Sequence, residues 1–154
     1  MHPHHALIRR FYGCLAAGDP EGAVACYHPE VLFSDPRFPR LREGLAADLW
    51  RMRLAPGTAF EVRLVEASGG EDAAVASWVA RESVLGRTVV TRGRSMFAFR
   101  EGRISRQYDH YSLWRWSAGA FGFAGAVLGW FGPFRWALRR RAARALERFS
   151  AGRD

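Results

Sequence analysis

The stretch "GDPEGAVACYHPEVLFSDP", residues 18–36, contains the signals that decide how this chain folds. Gly18 is suited to end a helix, and Asp19 followed by Pro20 is a capping residue with proline at the first helical position. The short apolar run before Asp35 predicts a strand, which the Asp-Pro pair closes. We therefore expect a helix, a second short helix and a strand in quick succession.

Helices come first in the chain and strands follow. Apolar residues recur at helical spacing over residues 4–17 and again over 42–55. After residue 58 come four β-rich runs of strand length, "AFEVRLVEAS", "DAAVASWVARESVL", "TVVTRGRSMFAFR" and "RISRQYDHYSLW", separated by turn sequences. This order predicts an α+β domain whose N-terminal helices pack on a curved antiparallel sheet. The concave face of such a sheet is a natural place for a small-molecule cavity.

The positive charge of the chain is unevenly distributed. The net charge is +8 over 154 residues, and all 23 basic residues are arginine. Seven arginines against Glu147 and Asp154 give residues 135–154 a charge of +5, which leaves +3 for the rest of the chain. A groove that follows nucleic-acid phosphates needs more positive charge than that. We therefore do not expect nucleic-acid binding.

The cysteines and the N-terminus indicate the compartment. Cys14 and Cys26 lie in apolar helical contexts and form no disulfide framework, so we expect reduced thiols. The start "MHPHHALIRRFY" lacks the apolar core of a secretory signal, which predicts a cytoplasmic protein. Its histidines have no second cluster to complete a metal site, and no glycine-rich phosphate loop is present. The sequence therefore predicts neither a metal nor a cofactor.

The order of elements, with residues 18–36 at its front, resembles the nuclear-transport-factor-2-like superfamily over roughly residues 5–114. This superfamily includes ketosteroid isomerases and SnoaL-like polyketide cyclases. The resemblance implies a cone-shaped, cystatin-like fold and a small apolar or aromatic carbonyl compound as ligand. Because the superfamily contains both enzymes and binding modules, two functions stay open. One is acid–base catalysis of the cyclase, isomerase or dehydratase type, and the other is a non-catalytic ligand-binding or membrane-associated module.

Asp35 falls where the isomerases keep the aspartate that removes a proton next to a carbonyl. The isomerases' two oxyanion donors would correspond to Phe11 and Ser95, so one donor is missing and the other is weaker. Tyr12 is adjacent to Phe11 but points about 100° away on a helix. Steroid isomerase chemistry is therefore not expected. Asp35 before Pro36 also fits a simple Asx turn at a strand end.

SnoaL-like cyclases use an aspartate late in the sheet, and the matching residue in "ISRQYDHYSL" is Asp109. Strand alternation places Gln107 and Tyr111 on the same face as Asp109, and a carboxyl in an apolar cavity has its pKa raised. Pairing with Arg94, Arg106 or backbone groups is the structural alternative for Asp109. The resemblance thus implies Asp35 and Asp109 as catalytic candidates. The ligand-binding candidates are Trp78, Ser95, Phe97, Phe99, Gln107, Tyr111 and His110, the last because a one-residue register shift would exchange it with Asp109.

The C-terminus departs from the superfamily pattern. Residues 116–134 are 19 consecutive uncharged residues, and residues 135–149 follow as a basic amphipathic helix. We therefore divide the chain into a domain at 1–115 and a helical extension at 116–154. The apolar segment could cover the cavity mouth or pack in a homodimer, which is the expected assembly. Alternatively, residues 116–149 could contact an anionic membrane surface peripherally.

Overall fold

A computed structural model describes residues 3–153 of the chain. Three helices and six strands are followed by three further helices. The helices are α1 (Pro3–Ala16), α2 (Pro20–Val24), α3 (Gly44–Arg53), α4 (Leu113–Phe121), α5 (Phe123–Leu128) and α6 (Gly132–Ala151). The strands are β1 (Tyr27–Ser34), β2 (Leu41–Arg42), β3 (Glu61–Gly69), β4 (Ala73–Val84), β5 (Arg87–Arg100) and β6 (Arg103–His110).

The six strands form one sheet in the order β2-β1-β6-β5-β4-β3, and the predicted α+β fold is confirmed. Strands β3 to β6 form the expected antiparallel meander. Strand β1, however, pairs with β6 in parallel, so the sheet is mixed rather than wholly antiparallel. Strand β2, helix α3 and strands β3 to β5 lie between β1 and β6 in the chain, so no tight hairpin fixes the relative direction of these two strands.

The start of the chain folds as its local signals predict. Gly18 has a φ of +72°, a left-handed conformation that suits glycine at a helix end. The Asp19 carboxylate then accepts a 2.9 Å hydrogen bond from the amide of Gly22, with Pro20 at the start of α2. These two features turn the chain sharply between α1 and α2, and β1 follows directly.

Helix α1 covers the concave face of the sheet with a broad apolar stripe. Its buried residues are Ile8, Phe11, Tyr12 and Leu15, which recur at the i, i+3, i+4 and i+7 spacing of a core-facing helix. The Phe11 ring contacts Tyr27 of β1 and Trp50 of α3. The stripe therefore closes one side of the space inside the curved sheet.

The uncharged segment after β6 folds back as two short helices. Gly122, with a φ of +64°, lies between α4 and α5. At Gly125 a Cβ atom would lie 1.9 Å from the Ser117 carbonyl oxygen, so only glycine allows α5 to approach α4 so closely. Among the helices of residues 3–153, none is long and apolar enough to cross a membrane.

Helix α6 packs along α3 at the open end of the curved sheet. Leu138 and Leu146 are its buried residues. The Ser150 hydroxyl donates a 2.7 Å hydrogen bond to Asp48 of α3, and Arg139 donates a 3.0 Å hydrogen bond to the Pro36 carbonyl. The C-terminal helices therefore lie over the mouth of the concave face.

Candidate active site

Asp109 is buried at the centre of the concave face. It lies on β6 directly opposite Ser95 of β5, and the register of the two strands brings the side chains together. The Ser95 hydroxyl donates a 2.5 Å hydrogen bond to Oδ1 of Asp109, and Nε2 of Gln107 donates a second at 3.0 Å to the same oxygen. Both donors therefore hold one carboxylate oxygen, and the other, Oδ2, accepts no hydrogen bond from the described residues.

Ser95 connects this carboxylate to two aromatic side chains. Because its single hydroxyl proton points at Asp109, the oxygen accepts hydrogen bonds from its other neighbours. These are the indole Nε1 of Trp78 and the hydroxyl of Tyr12, each at 2.8 Å. Trp78 pairs across the strands with Gly93, where a Cβ would lie 2.3 Å from the indole ring. The absence of a side chain at this glycine thus lets the indole lie flat and reach the serine.

Gln107 is held by a second chain of hydrogen bonds. Trp50 donates from Nε1 to the Tyr27 hydroxyl at 2.7 Å, and Tyr27 donates in turn to Oε1 of Gln107 at 2.6 Å. Since the amide oxygen is occupied by this donor, the amide nitrogen must face Asp109. Burial raises the pKa values of Tyr27 and Tyr12 well above 10, so both phenols stay protonated donors.

The surroundings of Asp109 make it a carboxyl that titrates near neutrality. Burial raises its pKa to about 7, against the opposing effect of the hydrogen bonds from Ser95 and Gln107. The nearby Asp35 charge raises it further, and Arg53 lowers it. Because Oδ1 already accepts two hydrogen bonds, the acidic proton resides on Oδ2. A single oxygen atom can therefore accept or donate a proton in the cavity.

Asp35 is engaged on both of its oxygens. Its Oδ1 accepts hydrogen bonds from the backbone amides of Arg37 and Phe38 at 2.8 and 2.7 Å, which is the Asx turn considered from the sequence. Its Oδ2, which is buried, forms a 3.2 Å ion pair with the largely buried Arg53 side chain. Asp35 thus shapes the turn after β1 and anchors Arg53.

Asp35 and Asp109 line the same small cavity. Its volume is about 20 Å³, which is room for about one water molecule. Arg37 and Arg53 stand at its outer end. The Arg37 guanidinium donates to the Tyr111 hydroxyl at 2.7 Å, pairs with Glu82 at 3.2 Å, and lies 4.3 Å from the centre of the Trp116 ring. The contacts of Arg37 therefore hold its side chain at this end of the inner cavity.

A larger pocket lies on the other side of these arginines. It has a volume of about 380 Å³, within the usual range for small-molecule sites. Arg37, Arg53 and Glu82 line both this outer pocket and the inner cavity. The other wall comes from the C-terminal helices, which contribute apolar residues such as Trp116 and Leu138. The C-terminal extension thus completes a pocket that the sheet and first helices leave open.

The structure brings some of the predicted ligand-binding residues together and separates others. Ser95 and Gln107 donate hydrogen bonds to Asp109, and Trp78 and Tyr111 line the same small cavity. Phe97 is buried against Phe11 and Tyr12, farther from the mouth. Phe99 is half-buried and stacks on His4 with ring centres 3.8 Å apart. His110 is exposed on the opposite face of β6, outside the cavity.

The inference that Tyr12 points away from the site was wrong. The two aromatic residues Phe11 and Tyr12 are 100° apart around α1, but the buried stripe of a core-facing helix is itself at least about that wide. Both side chains therefore point into the core, where the Tyr12 hydroxyl donates its proton to Ser95. The i, i+3, i+4, i+7 spacing could have shown this from the sequence.

Other residues of the site carried no sequence signal that singled them out. The sequence does not distinguish Tyr27 and Trp50 from the other aromatic residues, or Arg37 and Arg53 from the other arginines among 23. Their importance comes from long-range contacts. Among residues 3–153, no three histidine, cysteine, aspartate or glutamate side chains are grouped so that they could hold a metal ion.

Comparison with protein families decides the family to which this fold and site belong. Residues 8–107 match the model of the SnoaL-like domain. The chain is a member of the SnoaL-like family. In this SnoaL-like protein, the match covers the first helices and nearly the whole sheet, including Ser95 and Gln107, and ends just before Asp109. A comparison with curated proteins finds no match.

Solved structures similar to this SnoaL-like protein share its fold at low sequence identity. An LEH-like epoxide hydrolase from Mycobacterium tuberculosis is 19% identical, with a TM-score of 0.65, covering 80% of this chain and 91% of that one. A proposed polyketide cyclase from Xanthomonas campestris is 20% identical, with a TM-score of 0.64 and coverages of 77% and 96%. A protein with a ketosteroid isomerase-like fold from Catenulispora acidiphila, in complex with trimethylamine, is 14% identical, with a TM-score of 0.64 and coverages of 74% and 91%. These likenesses show the fold.

Proposed function

We propose that this SnoaL-like protein binds a small apolar or aromatic carbonyl compound and moves a proton on it with Asp109. The observation that carries the proposal is the asymmetry of the Asp109 carboxyl. Oδ1 is held by Ser95 and Gln107, while Oδ2 is free at the inner cavity and titrates near neutral pH. A general base or acid needs a pKa near the working pH and a free atom within reach of the substrate.

The proton transfer follows from this geometry. Ionised Asp109 would remove a proton from a carbon next to the carbonyl group, and the proton would reside on Oδ2. Protonated Asp109 would then return it at another atom, as an isomerase or cyclase requires. The apolar walls of the outer pocket suit an apolar ligand, and Arg37 and Arg53 must move aside for part of it to reach Oδ2. In this proposal Asp35 positions Arg53 and is not the base.

The descriptions of solved structures with the same fold support an enzymatic reaction but do not specify which one. Solved structures of the same fold include a protein described as an epoxide hydrolase and one described as a polyketide cyclase. A non-catalytic ligand carrier is the second candidate. The observation favouring it is that the inner cavity holds about 20 Å³, whereas the pocket of about 380 Å³ lies outside the two arginines.

The test is the exchange of carbon-bound protons for deuterium in phenylacetone, a small aromatic ketone, followed by proton NMR in heavy water. Wild-type protein should accelerate the exchange, with a rate that rises with pH around a midpoint near 7. Asp109→Asn should lose about 100-fold or more of the acceleration, the usual contribution of general base catalysis. Asp72→Asn, which changes an exposed aspartate, is the matched control.

The possible results separate the two candidates. Exchange that is equally fast in the Asp109→Asn variant would show that Asp109 is not the base. Saturable binding of the ketone by wild type and variant, without exchange, would favour the carrier function. If the protein neither binds the ketone nor accelerates its exchange, an aromatic ketone is rejected as a model ligand.

A further inference from the structure

Helix α5, the turn after it and the start of α6 carry a group of exposed large apolar side chains. Phe123 is 85% exposed and Trp130 is 72% exposed. Within 14 positions of the chain the structure leaves six such residues in contact with solvent, namely Phe123, Val127, Leu128, Trp130, Phe131 and Trp136. We call these six residues the apolar tip. Clusters of this kind on a protein surface mark binding sites for a partner or a lipid surface.

Helix α6 follows the apolar tip and carries exposed arginines on its outer face. We call Arg140 and Arg144 the arginine stripe. With 100° between successive residues, Trp136, Arg140 and Arg144 lie on one face, opposite the face on which Leu138 and Leu146 are buried. The Arg140 guanidinium lies 5.1 Å from the centre of the Trp136 ring. The exposed side of α6 thus combines an aromatic end with a row of positive charge.

The positive charge of this helix is largely unpaired within the protein. Arg140, Arg141, Arg144 and Arg148 are all exposed, and none of them forms an ion pair with a carboxylate of residues 3–153. The one acidic residue nearby on the helix is Glu147. An anionic partner would therefore find both charge and apolar contacts on the same side of the molecule.

We propose that the apolar tip and the arginine stripe of α6 dock the protein peripherally on an anionic lipid surface. Tryptophan and phenylalanine favour the boundary between headgroups and acyl chains, and arginines favour anionic headgroups. A second copy of the chain fits less well, because it would bring the same unpaired arginines to the interface. This docking is independent of the cavity chemistry and involves no spanning helix.

The experiment is co-sedimentation of the full chain with large vesicles. One set consists of phosphatidylcholine alone, and the other of an equal mixture of phosphatidylcholine and phosphatidylglycerol. We expect binding to the mixed vesicles at about 0.1 M salt and much less at about 1 M, where the Debye length falls to about 3 Å. Equal binding to both kinds of vesicle, or no binding to either, would overturn the proposal.

Two variants separate the apolar and the charged contributions. Trp130→Ser with Phe131→Ser should lower partitioning at least tenfold, because it removes two aromatic anchors. Arg140→Gln with Arg144→Gln should lower it about 30-fold, given the usual contribution of an arginine near an anionic surface. If only the arginine variant loses binding, the tip does not insert and the proposal fails in this form.

A matched control variant and two further measurements distinguish lipid binding from unfolding and from self-association. Val65→Ser with Val90→Ser removes two exposed apolar residues of β3 and β5 and should bind vesicles like wild type. Far-ultraviolet circular dichroism confirms that each variant is folded. If sedimentation equilibrium without lipid shows a dimer that the Trp130/Phe131 variant cannot form, and vesicles bind none of the proteins, the tip is a dimer interface instead.

Discussion

Replacement of Asp109 by asparagine should change the way in which the stability of the protein depends on pH. The folded protein holds this carboxyl with a pKa of about 7, whereas the unfolded chain releases the proton near the ordinary aspartate pKa of 3.8. Between these two values the folded state binds one proton more than the unfolded state. Stability contributed by this group is therefore present at low pH and is lost as the pH rises towards 7.

The size of the effect follows from the shift. Each unit of pKa difference corresponds to about 1.4 kcal/mol, so wild type should lose about 3 kcal/mol from this group between pH 4.5 and pH 8. Asparagine has the same shape, keeps its oxygen towards Ser95 and Gln107, and does not titrate. The difference in unfolding free energy between the Asp109→Asn variant and wild type should therefore shift by about 3 kcal/mol in favour of the variant between pH 4.5 and pH 8.

Urea denaturation at several pH values measures this difference directly. With a slope of about 1–3 kcal/mol per molar urea, the midpoint of the variant should shift by about 1–3 M relative to wild type between the two pH values. Other carboxyls titrate in both proteins, so the difference isolates Asp109. The Asp72→Asn control should follow wild type. A wild-type-minus-variant difference that is the same at pH 4.5 and pH 8 would refute the reasoning.

Three further substitutions test the surrounding packing, each by urea denaturation. Tyr12→Phe removes one buried hydrogen bond and should cost about 1 kcal/mol; no change would mean that the phenol is not a donor there. Arg53→Met leaves the Asp35 carboxylate buried without its partner and should cost about 3–5 kcal/mol, whereas a stabilised protein would contradict the ion pair. Gly93→Ala forces a methyl group into the Trp78 ring and should cost about 1–3 kcal/mol with a changed near-ultraviolet dichroism; an unchanged spectrum would speak against the contact.

The local elements of the fold were predictable because short-range signals specify them. The Gly18–Pro20 turn and the alternation of β6 depend on residues a few positions apart, and the structure has both. The parallel pairing of β1 with β6 was not predicted, since it joins segments about 75 residues apart in sequence. No local pattern specifies the direction of such a pairing.

The candidate site was predictable only where the alternation of neighbouring strands places its residues. The sequence placed Asp109 and Ser95 on facing strands but did not show that Asp35 would be held by Arg53. Nor did it show that Trp50 would hold Gln107 through Tyr27. Those contacts depend on side chains from distant segments that meet only after the sheet has curved.

The central claim is that Asp109 is a carboxyl with one free oxygen and a pKa near neutrality. A carbon-13 NMR titration of protein labelled at the aspartate side-chain carboxyl tests it most directly. The account predicts one aspartate resonance with a midpoint near pH 7, which is absent from the Asp109→Asn variant. If every aspartate resonance titrates below about pH 5, close to the ordinary range for this side chain, the account is contradicted.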